Sequence, residues 1–239
     1  AKGEVTVTGR MLSKSFGGIA AVRGFDIELR RGEIVGLIGP NGAGKTTAFN
    51  LLTGFLKADA GGVSFGGRLL THLKPHQIVR AGVARSFQDL KLFRNMTVLE
   101  NVLVALPRQS GENLLFAYFV PWKVAREEQQ NIGNALAVLR FVKLEAKAGE
   151  RAGNLAYAEQ KLLVIARLLA TGAEVLLFDE PLSGLDPNTL EEISPVIREL
   201  AHKGKTICII EHNLDVIRGV CDRVVFLDEG TKIAEGTPD

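Results

Sequence analysis

The sequence lacks the features that mark disulfide-rich, membrane-spanning or nucleic-acid-binding proteins. It holds only two cysteines in 239 residues, too few for a disulfide framework or a cysteine-rich metal site. The longest uncharged apolar stretch near mid-chain, residues 114–122, is far short of the roughly 20 residues that cross a bilayer as a helix. A net charge of +2 without any long run of like charges gives no reason to expect nucleic-acid binding.

The residues that are present fit a globular protein. Hydrophobic residues make up 46% of the chain and charged residues 23%, so the chain can bury a core. The length suits one large domain or a domain with a sub-domain. Cys208 lies in an apolar run, Cys221 has no pattern around it, and residues 1–4 lack the apolar core of a secretory signal. We therefore expect a reducing, cytoplasmic environment.

The distribution of apolar runs predicts an α/β fold. Continuous apolar runs are typical of strands covered on both faces, as in a parallel sheet flanked by helices. Segments near the N-terminus alternate more and are punctuated by glycine pairs, which favours antiparallel hairpins. The predicted buried strands are residues 34–38, 175–178, 206–210 and 224–227, and the predicted hairpin strands are residues 5–15, 22–29 and 63–70.

The middle of the chain has a helical pattern and is interpreted as an inserted sub-domain. Thr97 can cap a helix, with Glu100 three residues later completing a capping box. A longer helix is predicted over residues 123–141. The chain is thus predicted to be a single domain, residues 1–239, with an α/β core at 1–96 and 157–239 and a helical sub-domain at about 97–156.

Two local features carry further expectations. Pro195 falls inside the helical pattern of residues 189–203 and predicts a kink or a split in that helix. The apolar stretch 114–122 is either core of the helical sub-domain or an exposed patch that receives a helix of a partner.

A glycine-rich segment follows the first buried strand. It reads Gly39-Pro40-Asn41-Gly42-Ala43-Gly44-Lys45-Thr46 and matches G-x-x-x-x-G-K-[ST] between a strand and a helix. Glycines let backbone N–H groups turn around phosphate oxygens, and the following helix adds a partial positive charge. We expect Lys45 to reach the β- and γ-phosphates, Thr46 to bind Mg²⁺, and Thr47 to complete the nucleotide-binding residues.

Two acids directly follow the buried strand 175–178. In a protein with a phosphate loop, a carboxylate at a strand end completes Mg²⁺ coordination, and we assign Asp179 that role. Glu180 is then within reach of a water that attacks the γ-phosphate, and is the candidate general base. The alternative is a solvated pair of acids at the end of a strand.

With these motifs in place, the whole chain resembles the ATP-binding subunits of ABC transporters. The resemblance also rests on Gln88 in Ser-Phe-Gln-Asp, on Ser-Gly-Leu-Asp at 183–186, and on His212 after an apolar run. It implies that Gln88 contacts Mg²⁺ or the attacking water, that 183–186 crosses a dimer interface, and that His212 holds the γ-phosphate. It also implies that Phe16 stacks on adenine.

The signature loop departs from the family pattern Leu-Ser-x-Gly-Gln. The chain reads Leu-Ala-Tyr-Ala-Glu-Gln at residues 155–160. Ala158 replaces the glycine that approaches the γ-phosphate held by the opposite subunit, so its Cβ is expected to crowd that contact or to forbid a positive φ. Ala156 removes a hydroxyl. We therefore expect a heterodimer in which a second ATPase subunit supplies a complete signature loop, with a homodimer as the alternative.

Within the family, residues 86–93, 96–102 and 155–157 resemble subunits of branched-chain amino-acid importers, with urea, amide and other amino-acid importers as alternatives. That resemblance implies ATP and Mg²⁺ as cofactors, membrane-spanning permease subunits as partners, and an external solute-binding protein as an indirect one. It places the chain as a peripheral protein at the cytoplasmic face of the cell membrane.

Other functions stay open as alternatives. One is an ABC-type ATPase acting on DNA or ribosomes, although the chain has neither a long coiled-coil insertion nor a second ATPase unit. Another is a regulatory subunit that holds ATP with weak hydrolysis, prompted by Ala158. A GTPase is disfavoured because the chain has no N-K-x-D motif.

Overall fold

The computed structural model describes residues 3–107 and 121–239. The chain divides into two compact units, Ala1–Gln88 with Ala173–Asp239, and Asp89–Gly172. This division places residues 89–96 and 157–172 in the second unit. The sequence analysis had assigned these residues to the α/β core.

The first unit contains all the strands of the two sheets. Its elements are β1 (Val5–Phe16), β2 (Ile19–Arg30), β3 (Ile34–Ile38), α1 (Lys45–Leu52), β4 (Ala60–Phe65), β5 (Arg68–Leu69), α2 (Pro75–Ala81) and β6 (Val83–Arg85). The second unit contributes α3 (Val98–Leu103), α4 (Pro121–Phe141) and α5 (Tyr157–Ala170). The first unit then continues with β7 (Val175–Asp179), α6 (Pro187–His202), β8 (Thr206–Ile210), α7 (Leu214–Val220), β9 (Arg223–Asp228) and β10 (Thr231–Gly236).

The larger sheet has six strands in the order β10-β9-β3-β8-β7-β6. Strands β9, β3, β8, β7 and β6 pair in parallel, and β10 joins the edge antiparallel to β9. Every residue of β7 and β8 is buried, as the continuous apolar runs predict. The parallel pairing brings the carboxyl ends of these strands to one edge of the sheet, where ligands bind in folds of this class.

The smaller sheet is antiparallel, with four strands in the order β2-β1-β4-β5. Inward-facing residues such as Phe25, Ile27 and Leu29 are at most 1% exposed and alternate with partly exposed neighbours. They share one hydrophobic core with Val35 and Leu37 of β3 and with α1. The predicted fold class is confirmed: an α/β core, an antiparallel N-terminal part and a helical insertion.

Helix α3, the first helix of the helical second unit, begins with a capping box. The Glu100 backbone N–H donates to Thr97 Oγ1 at 3.1 Å, and the Thr97 N–H donates to the Glu100 carboxylate at 2.7 Å. Asn101, which is fully buried, donates to the carbonyls of Phe93 and Thr97 at 3.0 and 2.9 Å. Helix α4 covers the predicted 123–141 and begins two residues earlier.

Of the kink or split expected at Pro195, the split was wrong, because α6 runs unbroken from Pro187 to His202. Proline removes the hydrogen bond to the carbonyl of Glu191. Both Pro195 and Glu191 are exposed, so water can satisfy that carbonyl. The opposite face holds the helix in place through the buried Ile193, Val196, Ile197, Leu200 and Ala201.

The apolar stretch 114–122 lies outside the described residues except for its last positions, and Trp122 is 68% exposed. Over the part of the chain that the structure describes, none of the helices combines the length and hydropathy needed to cross a bilayer.

Candidate nucleotide-binding site

The glycine-rich loop joins the carboxyl end of β3 to the first turn of α1. β3 lies between β9 and β8, so the loop stands at the edge where the parallel strands end. Gly44 has φ 97° and Gly39 has φ 150°, values that L side chains rarely adopt. A Cβ at Gly39 would lie 1.9 Å from the Leu227 carbonyl oxygen, and one at Gly44 would lie 2.3 Å from that of Ala21.

Lys45 is the first residue of α1, and its ammonium group is held inside the loop. Nζ donates to the carbonyl oxygens of Gly39 and Pro40 at 2.7 and 2.8 Å, and the residue is 6% exposed. Burial lowers the pKa of Lys45 from its ordinary value, while the nearby Glu180 and Asp179 carboxylates oppose that shift. The cation is therefore fixed beside N–H groups at a helix N-terminus, an arrangement that suits a polyphosphate.

Asp179 is the last residue of β7 and is 5% exposed. Its backbone N–H donates to Ser86 Oγ at 3.0 Å, and its Oδ2 accepts from the Arg85 guanidinium at 2.9 Å. Burial raises the pKa of Asp179 above its ordinary value, against the influence of the Arg85 cation. Ser86 thus fixes the backbone at the strand end, and Arg85 fixes the carboxylate.

Glu180 follows Asp179 with a positive φ of 52°, which is uncommon for a residue with a Cβ and turns the chain sharply. Both of its carboxylate oxygens are held: Oε2 accepts from Gln88 Nε2 at 3.1 Å, and Oε1 lies 2.7 Å from His212 Nε2. The loop after it is anchored by the buried Glu211, whose Oε1 accepts from the Leu182 N–H at 2.8 Å. Gln88 and His212, which were predicted from separate motifs, therefore meet at the Glu180 carboxylate.

A cavity of about 290 Å³ opens between this carboxylate and the glycine-rich loop. That volume is near the lower end of the range for ligand pockets, so it suits the phosphate part of a nucleotide. Asp179 and Phe16 do not line this cavity. Phe16 is the last residue of β1 and is 47% exposed, and its ring centre lies 5.6 Å from Lys14 Nζ. The lining residues are Ala21, Asn41, Gly42, Ala43, Gly44, Lys45, Thr46, Thr47, Gln88, Glu180, Ile210 and His212.

The oxygen donors at the site suit a magnesium ion that arrives with a nucleotide. Among the described residues, none of the His, Cys, Asp and Glu side chains form a group of three or more that could hold a metal ion by themselves. Magnesium typically takes one or two carboxylates and completes its shell with phosphate oxygens and water. Thr46 and Gln88 line the cavity with oxygen atoms that suit magnesium, and the Asp179 carboxylate stands at the end of β7, directly before Glu180.

The sequence analysis missed Arg85 and Ser86, which contact Asp179, and Asn50, which contacts Arg85. Arg85 Nη1 donates to Asn50 Oδ1 at 2.6 Å, which links the end of β6 to α1. The signal was present, since an arginine closes an apolar strand three residues before Gln88. A charge in such a strand needs a buried partner.

The signature loop belongs to the second unit. Ala156 is the residue before α5, and its N–H donates to Glu159 Oε2 at 3.0 Å. Ala158 lies in the first turn of α5 and is not among the residues with positive φ, so its Cβ causes no backbone strain in this chain, and the expected crowding of the partner's γ-phosphate stays a prediction. An alanine in a helix is favourable.

In the first unit, Asp186 caps α6 by accepting from the Asn188 and Thr189 N–H groups at 3.1 Å.

Comparison with known proteins agrees with this geometry. The family model described as ABC transporter matches residues 22–183. The chain belongs to this family. It is 42% identical over 236 residues to the high-affinity branched-chain amino acid transport ATP-binding protein LivG of Salmonella typhimurium, with 98% of this chain and 92% of that protein covered. It is 38% identical over 229 residues to BraF of Pseudomonas aeruginosa, described in the same words, covering 95% and 90%.

Solved structures of ABC transporter cassettes share the fold. A nucleotide-free ATP-binding cassette has a TM-score of 0.86 at 34% identity, covering 99% of this chain and 92% of that one. A cassette in its ADP conformation has a TM-score of 0.84 at 34% identity, covering 98% and 91%. The predicted family and the predicted class of ATP-hydrolysing cassette are confirmed, while the role of each site residue stays a prediction.

Proposed function

We propose that this chain binds and hydrolyses ATP to drive a membrane importer of branched-chain amino acids. The observation that carries hydrolysis is the meeting of Glu180, Gln88 and His212 across a small cavity from Lys45. A carboxylate fixed at both oxygens has one orientation, which is what a general base needs. The cargo rests on the names of relatives such as LivG and BraF.

In the proposed reaction, the loop N–H groups and Lys45 hold the phosphates and offset their charge. Glu180 accepts a proton from the attacking water at its carboxylate. Gln88 and His212 orient that carboxylate, and His212 also faces the cavity where the γ-phosphate would lie. A magnesium ion bound with the nucleotide would neutralise phosphate charge, and Thr46, Asp179 and Gln88 would hold it.

The proposed partners follow from the family. Membrane-spanning permease subunits would change conformation when two ATP-binding chains close over ATP. An external solute-binding protein would be an indirect partner. The chain would lie peripherally at the cytoplasmic face of the membrane. One cassette of this fold, 26% identical with a TM-score of 0.79, is a dimer bound to ADP and phosphate. Two ATP-binding chains are accordingly expected to close over the nucleotides.

The direct test is transport in vesicles that contain this chain and its co-purifying membrane subunits. ATP inside the vesicles should drive accumulation of labelled leucine. Glu180→Gln should abolish accumulation, whereas Glu192→Gln, which alters an exposed carboxylate of α6, should leave it unchanged. Leucine uptake that persists in Glu180→Gln, or does not depend on ATP, would contradict the proposal.

A heterodimer is favoured over a homodimer because Ala158 replaces a glycine in the signature loop. Its helical conformation carries no strain within this chain, so any effect falls on the nucleotide held by the partner. ATP turnover by the purified chain alone should therefore be weak and should increase in Ala158→Gly. Robust cooperative turnover by the unmodified chain alone would count against a heterodimer. ATP binding without turnover, even with the natural partner, would favour the regulatory alternative.

A further inference from the structure

Arg85 is a buried cation that pairs with Asp179, the residue before the candidate general base Glu180. Its side chain is 4% exposed, and it donates to acceptors from three segments. Nη2 bonds Asp179 Oδ2 at 2.9 Å, and Nη1 bonds Asn50 Oδ1 at 2.6 Å. Nε bonds the Ser86 carbonyl at 3.1 Å. One rigid guanidinium thus joins β6, β7 and α1.

Aromatic rings enclose this guanidinium. Its central carbon lies 4.7 Å from the ring centre of Phe87 and 5.8 Å from those of Phe49 and Phe55. Phe55 and Phe87 also meet edge to face, with ring centres 5.2 Å apart. The rings keep water from the ion pair between Arg85 and Asp179. Without water, the interaction energy of this pair depends more strongly on the positions of the two side chains.

Stability alone is a poor explanation for such a pair. Removing two charges from water offsets most of their attraction, and apolar residues of similar size often stabilise a core as well or better. A planar fork that contacts two acceptors at once, however, fixes the direction of each. The acceptor here is the carboxylate assigned to the metal.

The segment that carries Arg85 also carries Gln88. Ser86 donates its N–H to the Leu177 carbonyl at 2.8 Å, and its Oγ accepts the Asp179 N–H at 3.0 Å. Two residues later, Gln88 reaches Glu180 at 3.1 Å. The contacts of residues 85–88 therefore set the position of Asp179 and Glu180 together.

We propose that Arg85 is a positioning residue for ATP hydrolysis. By holding Asp179 and Asn50 at once, it fixes the carboxylate that would serve the nucleotide-bound metal and aligns the strand end that leads to Gln88. This inference rests on the proposed function. Arg85 is not among the residues that line the cavity, so it acts through Asp179.

The test compares Arg85→Lys with Arg223→Lys, because both keep the positive charge. Arg223 begins β9, at the end of the strands away from the site, and pairs with Glu33 at 2.8 and 2.7 Å. Lysine cannot hold two acceptors with the geometry of a guanidinium fork. Five quantities are measured for each protein: stability in urea, ATP affinity in EDTA, Mn²⁺ affinity of the ADP complex by electron paramagnetic resonance, and the kcat and KM of ATP hydrolysis with the natural partner present.

Arg85→Lys should weaken Mn²⁺ binding and lower kcat by about ten-fold or more, as loss of a residue that orients a metal ligand typically does. Its ATP affinity in EDTA and its KM should change by less than about three-fold, since the phosphate loop is untouched. Arg223→Lys should lower stability but leave kcat and Mn²⁺ affinity unchanged. Asn50→Ala, which removes the second anchor of Arg85, should shift kcat and Mn²⁺ affinity in the same direction and serves if Arg85→Lys does not fold.

Two results would overturn the inference: Arg85→Lys losing stability alone, or the two arginine variants changing kcat and Mn²⁺ affinity equally. These results are distinct from failure of the proposed function. That failure would appear in the unmodified protein as absence of ATP binding or of hydrolysis.

Discussion

Replacing Gly44 by alanine isolates the steric demand of the phosphate loop. Gly44 has φ 97°, and a Cβ there would lie 2.3 Å from the Ala21 carbonyl oxygen. The left-handed conformation alone costs an L-residue about 1–2 kcal/mol. Forcing apart packed backbone adds about 1–3 kcal/mol. We therefore expect Gly44→Ala to lower the free energy of unfolding by about 2–5 kcal/mol.

Two other glycines provide matched controls. Gly42 also has a positive φ, 82°, but a Cβ there would meet nothing within 4 Å, so Gly42→Ala should lose only about 1–2 kcal/mol. Gly133 lies within α4 with open space around its Cβ position, and Gly133→Ala should gain about 0.5–1 kcal/mol.

The assay is urea unfolding of the nucleotide-free chain, followed by circular dichroism. Measuring without nucleotide keeps contacts of the new methyl group with phosphate out of the comparison. The difference between Gly44→Ala and Gly42→Ala then reports the clash with Ala21. Equal losses in these two variants would refute the close approach between the loop and β2.

Three further expectations follow from single contacts. Glu180→Gln should keep ATP affinity within about three-fold and lower kcat by about 10²–10⁴-fold, because the amide cannot accept the proton of water; phosphate release measures this, and an unchanged kcat would exclude Glu180 as the base. Thr97→Ala should lower the stability of the helical unit by about 1 kcal/mol in urea, since it removes the cap that accepts the Glu100 N–H at 3.1 Å; no loss would mean that the cap contributes nothing. Cys208 and Cys221 should resist alkylation at pH 8 in the native chain and react in urea, because burial raises both pKa values, that of Cys221 to about 12; fast native labelling would show that the segments bearing them open readily.

Much of the site could be predicted because its residues belong to short motifs of fixed spacing in the sequence. The glycine-rich loop needs its residue types at fixed spacing, and Asp179 and Glu180 stand directly after an apolar run. That run and the one before His212 are buried strands of one parallel sheet. Parallel pairing then brings their ends together without further information.

Features that depend on contacts distant in sequence could not be predicted in the same way. Arg85 could be suspected as a buried charge, but its partners Asn50 and Asp179 are 35 and 94 residues away in the chain, and no local pattern joins them. β6 is only three residues long, too short for a periodic signal. The unbroken helix through Pro195 depends on which face is exposed, and the conformation of Ala158 depends on where α5 begins.

The phosphate loop is proposed to bind a nucleotide through Lys45, and calorimetric titration of ATP into the purified chain measures this binding. The unmodified chain should bind ATP, and Lys45→Ala should bind it about 10–100-fold more weakly, because a charge-assisted contact is worth about 1.5–3 kcal/mol. Lys205→Ala, which removes a lysine remote from the loop that donates to the Ala173 carbonyl at 2.6 Å, should leave the affinity unchanged. Absence of ATP binding by the unmodified chain, or equal affinity in Lys45→Ala, would contradict the account.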